Sequence, residues 1–195
     1  MIKTTDMLLE ELRAYGSPRS KLSRMVDKGE IYPVVKGLYE TDRSTPGHLL
    51  AGSIYGPSYI SFEFALGIYG MIPEAVYTVT CASFDKKKKK RYVTPFGTFT
   101  YRDVPSKAFP LGLKVIQEGD YYYRIATPEK ALCDQIYTAA PVANATEMKA
   151  LLNDDLRIED SELAKLNLAE IEAMAGFYHT TNIKKLCTVL RRIQR

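Results

Sequence analysis

The residues between Ser17 and Lys36 have types and spacing that suit one definite chemistry, the binding of nucleic acid. Placed about 100° apart on a helix, Ser17, Ser20, Lys21, Arg24 and Lys28 share a face, with Arg19 on its flank. Leu22, Met25 and Val26 fall on the opposite side. Arginine and lysine can bond guanine edges in a major groove, while serine hydroxyls and the N-terminal amides of a helix suit phosphate. Lys36 follows on a short turn, where a cation can reach phosphate or the minor groove. A solvated helix face has the same composition, so the face alone leaves both readings open.

A second cationic stretch, Lys86 to Lys90 with Arg91, lies between two β-prone runs. It is expected at the tip of a hairpin, where Lys87, Lys88 and Lys89 would add sequence-independent affinity for phosphate. The alternative is that it keeps a sheet edge soluble and unpaired.

Little in the chain suits catalysis. There is no G-x-S-x-G elbow or phosphate-cradling glycine loop, and His48 and His179 stand apart from metal-ligand spacings. A nuclease-like pairing of Glu63 with Asp85 and Lys87 is the one arrangement to weigh. No catalytic residue, metal or cofactor is expected.

The elements that must carry these residues can be read from periodicity. Leu8, Leu12 and Tyr15 mark a helix from Thr4 to Gly16, ahead of the Ser17–Lys28 helix that Pro18 opens and Gly29 ends. Ile31 to Val35 and Leu38 to Thr41, joined by Lys36-Gly37, form a tight hairpin. Helix, turn, helix and hairpin outline a winged helix over residues 1–43. Only Met1 to Lys3 precede its first helix, so the module is short and should borrow apolar surface from the segment that follows.

Arg43 to Gly47 reads as a linker to a second unit, residues 46–195. There, helices at His48 to Tyr55 and Phe62 to Tyr69 precede a mostly antiparallel sheet over residues 76–126. Helices fill 127–195, beginning at Thr127-Pro128-Glu129. Tyr121 and Tyr123 should share one face of a strand and Tyr122 the other, packing across strands rather than stacking on bases.

Composition sets outer limits. The formal net charge of +4 permits nucleic acid without demanding it. Residues 84–124 hold ten Lys or Arg against four acids, and residues 146–178 hold three against eight, so the two surfaces should differ in sign. Cys81, Cys133 and Cys187 are scattered, as buried thiols of a reducing cytoplasm would be. No run has the length of a membrane span.

KGLYE at the hairpin, YISFEFALGIYGMIPEAVYTVT, TPFGTFTYRDVP and above all IATPEKALCDQIY resemble the AbiEi-type antitoxin and transcriptional regulator family of type IV toxin-antitoxin, abortive-infection systems. The resemblance covers roughly residues 5–140. It implies an N-terminal winged helix that represses its own operon, and a C-terminal domain that counters a nucleotidyltransferase-like toxin without requiring stable contact with it. The expectation is therefore an α+β, cytoplasmic, DNA-binding antitoxin-type regulator that recognises its own promoter or operator as duplex DNA. Ser17, Arg19, Ser20, Lys21 and Arg24 would face the groove, Lys36 would sit on the wing, and Lys87, Lys88 and Lys89 would contact the backbone. A metal-dependent nuclease, or an interaction module whose degenerate winged helix binds no DNA, are the alternatives.

Overall fold

The computed structural model describes residues 1–195 as an α+β fold with two sheets. The N-terminal part comprises β1 (Ile2–Thr4), α1 (Thr5–Glu11), α2 (Pro18–Asp27), β2 (Tyr32–Val35) and β3 (Leu38–Glu40). Thr4 caps α1 by accepting from the Met7 amide at 3.3 Å. Gly29, at φ +68°, takes the left-handed conformation that ends the turn after α2.

Two expectations for this region are corrected. A strand, β1, pairs antiparallel with β3 in the order β1-β3-β2, where no element was expected. The first helix also stops at Glu11 instead of Gly16, leaving Tyr15 exposed rather than on an apolar stripe.

Leu8, Leu12, Leu22 and Ile31 form a small core of their own. Four buried residues cannot stabilise a module alone, and the hairpin supplies the remainder by leaning on the rest of the molecule. Val34 belongs to the main core, and Ile2, Val35 and Leu38 pack against it. The stretch after the hairpin is held in place as well. Arg43 donates to the Pro95 carbonyl at 2.6 Å and lies over the Phe96 and Tyr32 rings.

The second part begins with a 3-10 turn (Gly47–Leu50), α3 (Ala51–Ile54), β4 (Ser58–Ile60) and α4 (Phe62–Ile68). Next come β5 (Val79–Phe84), β6 (Lys90–Thr94), β7 (Gly97–Val104), β8 (Leu113–Glu118) and β9 (Tyr121–Ala126). The six strands stand in the order β6-β7-β5-β4-β9-β8. β4, unexpected from the sequence, is therefore central. The sheet is mixed, since β5 pairs parallel with β7 and β4 parallel with β9, while the other three pairings are antiparallel. Tyr121 and Tyr123 turn inward and Tyr122 outward, in step with the strand period.

Helices α5 (Pro128–Thr138), α6 (Ala145–Ala150), α7 (Asp160–Leu163), α8 (Leu168–Ala175) and α9 (Thr181–Ile193) complete the chain, with a π-helical turn at Leu151–Asp155. Thr127 caps α5 through the Lys130 amide, and Pro128 occupies its first turn. Six residues of α5 are buried, among them Lys130 and Asp134. A helix buried nearly all round must satisfy whatever polar groups it carries.

Lys130 and Asp134 are satisfied fully, whereas Gln135 Oε1 on the same helix has no hydrogen-bond partner. The Lys130 ammonium donates to Asp134 Oδ1 at 2.9 Å, to the Ala108 carbonyl at 2.9 Å and to the Tyr178 hydroxyl at 2.6 Å. Asp134 also accepts from Tyr178 at 2.6 Å, Tyr59 at 2.9 Å and Ser61 at 2.7 Å. Removing one partner of such a pair strands the other charge without water. Asp134→Ala is expected to cost about 3–5 kcal/mol of stability by urea unfolding, and the double replacement Lys130→Met with Asp134→Leu should recover a large part of it. A single variant as stable as wild type would show that the network carries no such constraint.

Glu40 makes a comparable joint between the two sheets. Its carboxylate, enclosed at 0% exposure, accepts from the Tyr121 hydroxyl at 2.7 Å and from the Thr41 and Asp42 amides at 2.8 and 3.1 Å. Burial pushes its pKa up, but hydrogen bonds from the Met1 amino group, Tyr121 and the two amides outweigh that and hold it below 4.5. A carboxyl held low in the folded state stabilises the protein above its unfolded pKa, and that stability is lost as pH falls through the folded value. Glu40→Gln should lower stability at neutral pH and flatten the acid limb of a stability-pH curve below 4.5. An unchanged acid limb would count against this joint.

Candidate nucleic-acid interface

Burial of Leu22 against Leu8, Leu12 and Ile31 fixes the rotation of α2 about its axis. Arg19, Ser20, Arg24 and Lys28 are then exposed, and Lys21 is half-buried. Ser17 stands at the start of the helix without capping it. Its hydroxyl donates to Ser20 Oγ at 2.8 Å, because Pro18 has already fixed the first turn. Arg24 Nε donates to the Ser20 carbonyl at 3.2 Å, which holds the guanidinium stem against its own helix. The Lys21 ammonium lies 5.4 Å from the centre of the Tyr15 ring.

None of the molecule's ion pairs involves Arg19, Lys21, Arg24, Lys28 or Lys36. Lys36 is exposed on the β2–β3 turn, where Gly37 at φ +83° permits the reversal. The Thr5 amide donates to the Gly37 carbonyl at 3.0 Å and ties this turn to the start of α1. The arrangement therefore gathers Ser17, Arg19, Ser20, Lys21 and Arg24 on one helix, with Lys36 on the adjoining hairpin.

Lys87, Lys88 and Lys89 belong to another element, and their expected setting is corrected. β5 and β6 are not partners, since β7 stands between them, so the lysine run crosses the end of β7 rather than tipping a hairpin. The crossing needs unusual backbone, and Asp85 and Lys87 take φ of +47° and +55°. Asp103 on β7 anchors it by accepting from the Lys87 amide and the Ser83 hydroxyl. Lys86 is drawn in, its ammonium 5.2 Å from the Tyr55 ring, and Lys90 begins β6. Lys87, Lys88 and Lys89 remain exposed. They border a cleft of about 510 Å³ with Arg102, Tyr137, Thr138 and Thr180.

The nuclease-like grouping does not assemble. Glu63 is engaged by Arg102, whose guanidinium lies 4.0 Å from the Phe62 ring, while Asp85 sits in the crossing loop. No group of three or more His, Cys, Asp or Glu lies close enough to hold a metal ion. His48 meets Glu118 at 3.0 Å and the edge of Tyr123, a contact 70 residues apart that no local spacing could signal. Cys81, Cys133 and Cys187 are buried free thiols, and burial pushes each of their pKa values up, away from reactivity.

The Lys130–Asp134 pair is the charged cluster that sequence reasoning passed over. A lysine and an aspartate four apart within Ala131, Leu132, Cys133 and Ile136 was the available signal. Both are fully enclosed, so their role is to hold the fold together rather than to meet a substrate. No protein-family model matches the chain, and no curated protein matches it in sequence. No helix is long and apolar enough to cross a membrane.

The exposure of three adjacent lysines has a measurable consequence. Each phosphate neutralised on duplex DNA steepens the log-log salt dependence of binding by about 0.9, and about two of the three side chains can reach phosphates at once. On the DNA-binding reading proposed below, replacing Lys87, Lys88 and Lys89 with Ala should flatten the slope by roughly two and weaken upstream and random DNA by similar factors. An unchanged slope would reduce the run to a solvated loop.

Proposed function

We propose that the protein is a DNA-binding transcriptional regulator and antitoxin that represses its own operon and opposes a nucleotidyltransferase-like toxin, without catalytic activity of its own. The observation that carries the DNA-binding half is the α2 surface. Arg19, Lys21, Arg24 and Lys28 stand outward from a helix whose apolar side is locked, and no acidic side chain neutralises them. In this reading α1, α2 and the β2–β3 hairpin act as a helix-turn-helix and wing. α2 enters the major groove, and Lys36 reaches the flanking phosphates or minor groove.

β1 supports the reading as the third strand of the small sheet, bracing the hairpin from the side away from β2. The joints at Glu40, Val34 and Arg43 would keep α2 and the lysine crossing in fixed relation, so that specific and non-specific contacts act on one duplex. The antitoxin half rests on the resemblance of IATPEKALCDQIY and its companion segments to the AbiEi-type family.

Gel-shift titration on the DNA upstream of the gene tests the first half. Arg24→Ala should weaken operator binding by about 1–3 kcal/mol while affecting random DNA less, as loss of a base-edge contact does. Equal affinities at matched salt would remove Arg24 from the groove. Absence of any shift would favour a protein-interaction module. For the second half, co-expression with the neighbouring toxin gene should restore growth, and failure to do so would leave a solitary regulator.

A further inference from the structure

A strand at the edge of a sheet presents amides and carbonyls without partners, and folds usually shorten, charge or cover such strands. Four strands end the two sheets here, β1 and β2 in the small one and β6 and β8 in the large one. β1 has three residues and β2 four with Pro33 inside it, so neither offers a continuous ladder. β6 carries Lys90 and Arg91 without an acid and follows directly on Lys87, Lys88 and Lys89, so a second cationic edge would be repelled. β8 is different. It is the longest of the four at six residues, and its backbone makes no main-chain hydrogen bond outside the ladder with β9.

The side chains of β8 are complementary to themselves. Alternation puts Lys114, Ile116 and Glu118 on one face of the sheet and Val115 and Gln117 on the other. Two copies related by a two-fold axis at Ile116 pair antiparallel, with each Lys114 opposite the second copy's Glu118 and each Val115 opposite its Gln117. Both charges are available. Lys114 has no ion pair, its ammonium standing 5.9 Å from the centre of the Tyr69 ring, and Glu118 meets His48 through Oε2 and leaves Oε1 without a hydrogen bond. Val115 is 65% exposed, and Tyr122, paired with Gln117, is 66% exposed, so apolar surface borders the edge as well. Charge also selects the register. Moving the axis to Val115 or to Gln117 would set Lys114 or Glu118 against the second copy's Ile116 and lose both ion pairs.

We propose that β8 is a self-association edge, through which two copies of the chain join antiparallel about Ile116 into one continuous sheet. The pairing does not depend on DNA binding, and β8 shares no residue with the α2 surface. It would place two copies of α2 in two-fold relation, the symmetry of an inverted-repeat operator on the reading proposed above.

Sedimentation velocity of the full chain across about 1–100 μM tests this, a range set by an edge pairing that lies at the small end of protein interfaces. A monomer–dimer equilibrium is expected, about tenfold weaker in Glu118→Lys and in Lys114→Glu, each of which sets like charges opposite. Combining Lys114→Glu with Glu118→Lys exchanges the two signs and should restore association. A second measurement uses exposed positions only, so that folding is not at stake. With diamide as oxidant, a mixture of Val115→Cys and Gln117→Cys chains should cross-link to a covalent dimer. Neither variant alone should do so, because the two-fold sets like positions farther apart than the roughly 7 Å that a disulfide can span. The native cysteines are buried and leave no background. The proposal fails if the chain stays monomeric throughout that range, or if the single charge variants associate like wild type. It fails equally if the double exchange does not recover what the single variants lose, or if either cysteine variant alone cross-links as readily as the mixture.

Discussion

A charged pair without access to water, Lys130 with Asp134, sets the geometry on which the larger part of the molecule depends. Such a pair gains little net stability over an apolar equivalent, because desolvation offsets its attraction. Its effect is to fix positions. Asp134 needs donors and finds them on β4 at Tyr59, at the β4–α4 junction at Ser61, and beyond α8 at Tyr178. Burial, and then the Asp134 charge, push the Tyr59 and Tyr178 hydroxyls far above their usual pKa, so they remain protonated donors across the working range. The central strand, two helices and the chain end leading into α9 cannot shift independently while that carboxylate stays satisfied. Even the approach of the segment before β8 is set here, since a Cβ at Gly112 would come within 2.8 Å of the Lys130 Cβ.

The N-terminal sheet is attached to this frame by different means. Its own core is too small to set its orientation, so Val34 enters the main core and the Glu40–Tyr121 hydrogen bond closes the join. Tyr121 is itself perturbed upward, to about 12, by burial and then by its bond to Glu40, which keeps it the donor of that pair. Arg43 reinforces the corner by stacking on Phe96 and Tyr32. Groove reading by α2, as proposed above, would need a fixed angle to the rest of the protein, and these contacts impose one.

How far the sequence disclosed this depends on the range of each interaction. α2, the Lys36–Gly37 hairpin and α5 were legible because caps, periodicity and turn residues are local signals. β4 was not, since three residues between Gly56-Pro57 and Ser61 are too few to display a period. The lysine crossing was misassigned because consecutive strands usually pair, and nothing within residues 84–91 reveals that β7 inserts between β5 and β6. Donors at Tyr59 and Tyr178 lie 75 and 44 residues from Asp134, so the meaning of the Lys130–Asp134 spacing emerged only with the tertiary fold. Ser58 shows the same limit, since an unpartnered hydroxyl is defined by what surrounds it.

Composition also overstates how much charge is free to act. The segment at residues 146–178 is acidic, but Asp160, Glu162 and Glu172 are paired with Lys149, Lys165 and Arg191. The basic outer face of α9 is correspondingly depleted, with Arg191 held by Glu172 and Lys185 by the Val142 carbonyl. A phosphate approaching such a cation must displace an internal partner, and the exchange leaves little net gain. On α2, Arg24 Nε is held by the Ser20 carbonyl, while Arg19 there and Lys87, Lys88 and Lys89 on the crossing have no ion pair or side-chain hydrogen bond to displace. Lys184 and Arg192 on α9 are unpaired as well, so on the DNA-binding reading proposed above α9 is depleted of free cations rather than excluded, and an external anion would relieve repulsion at each of these surfaces.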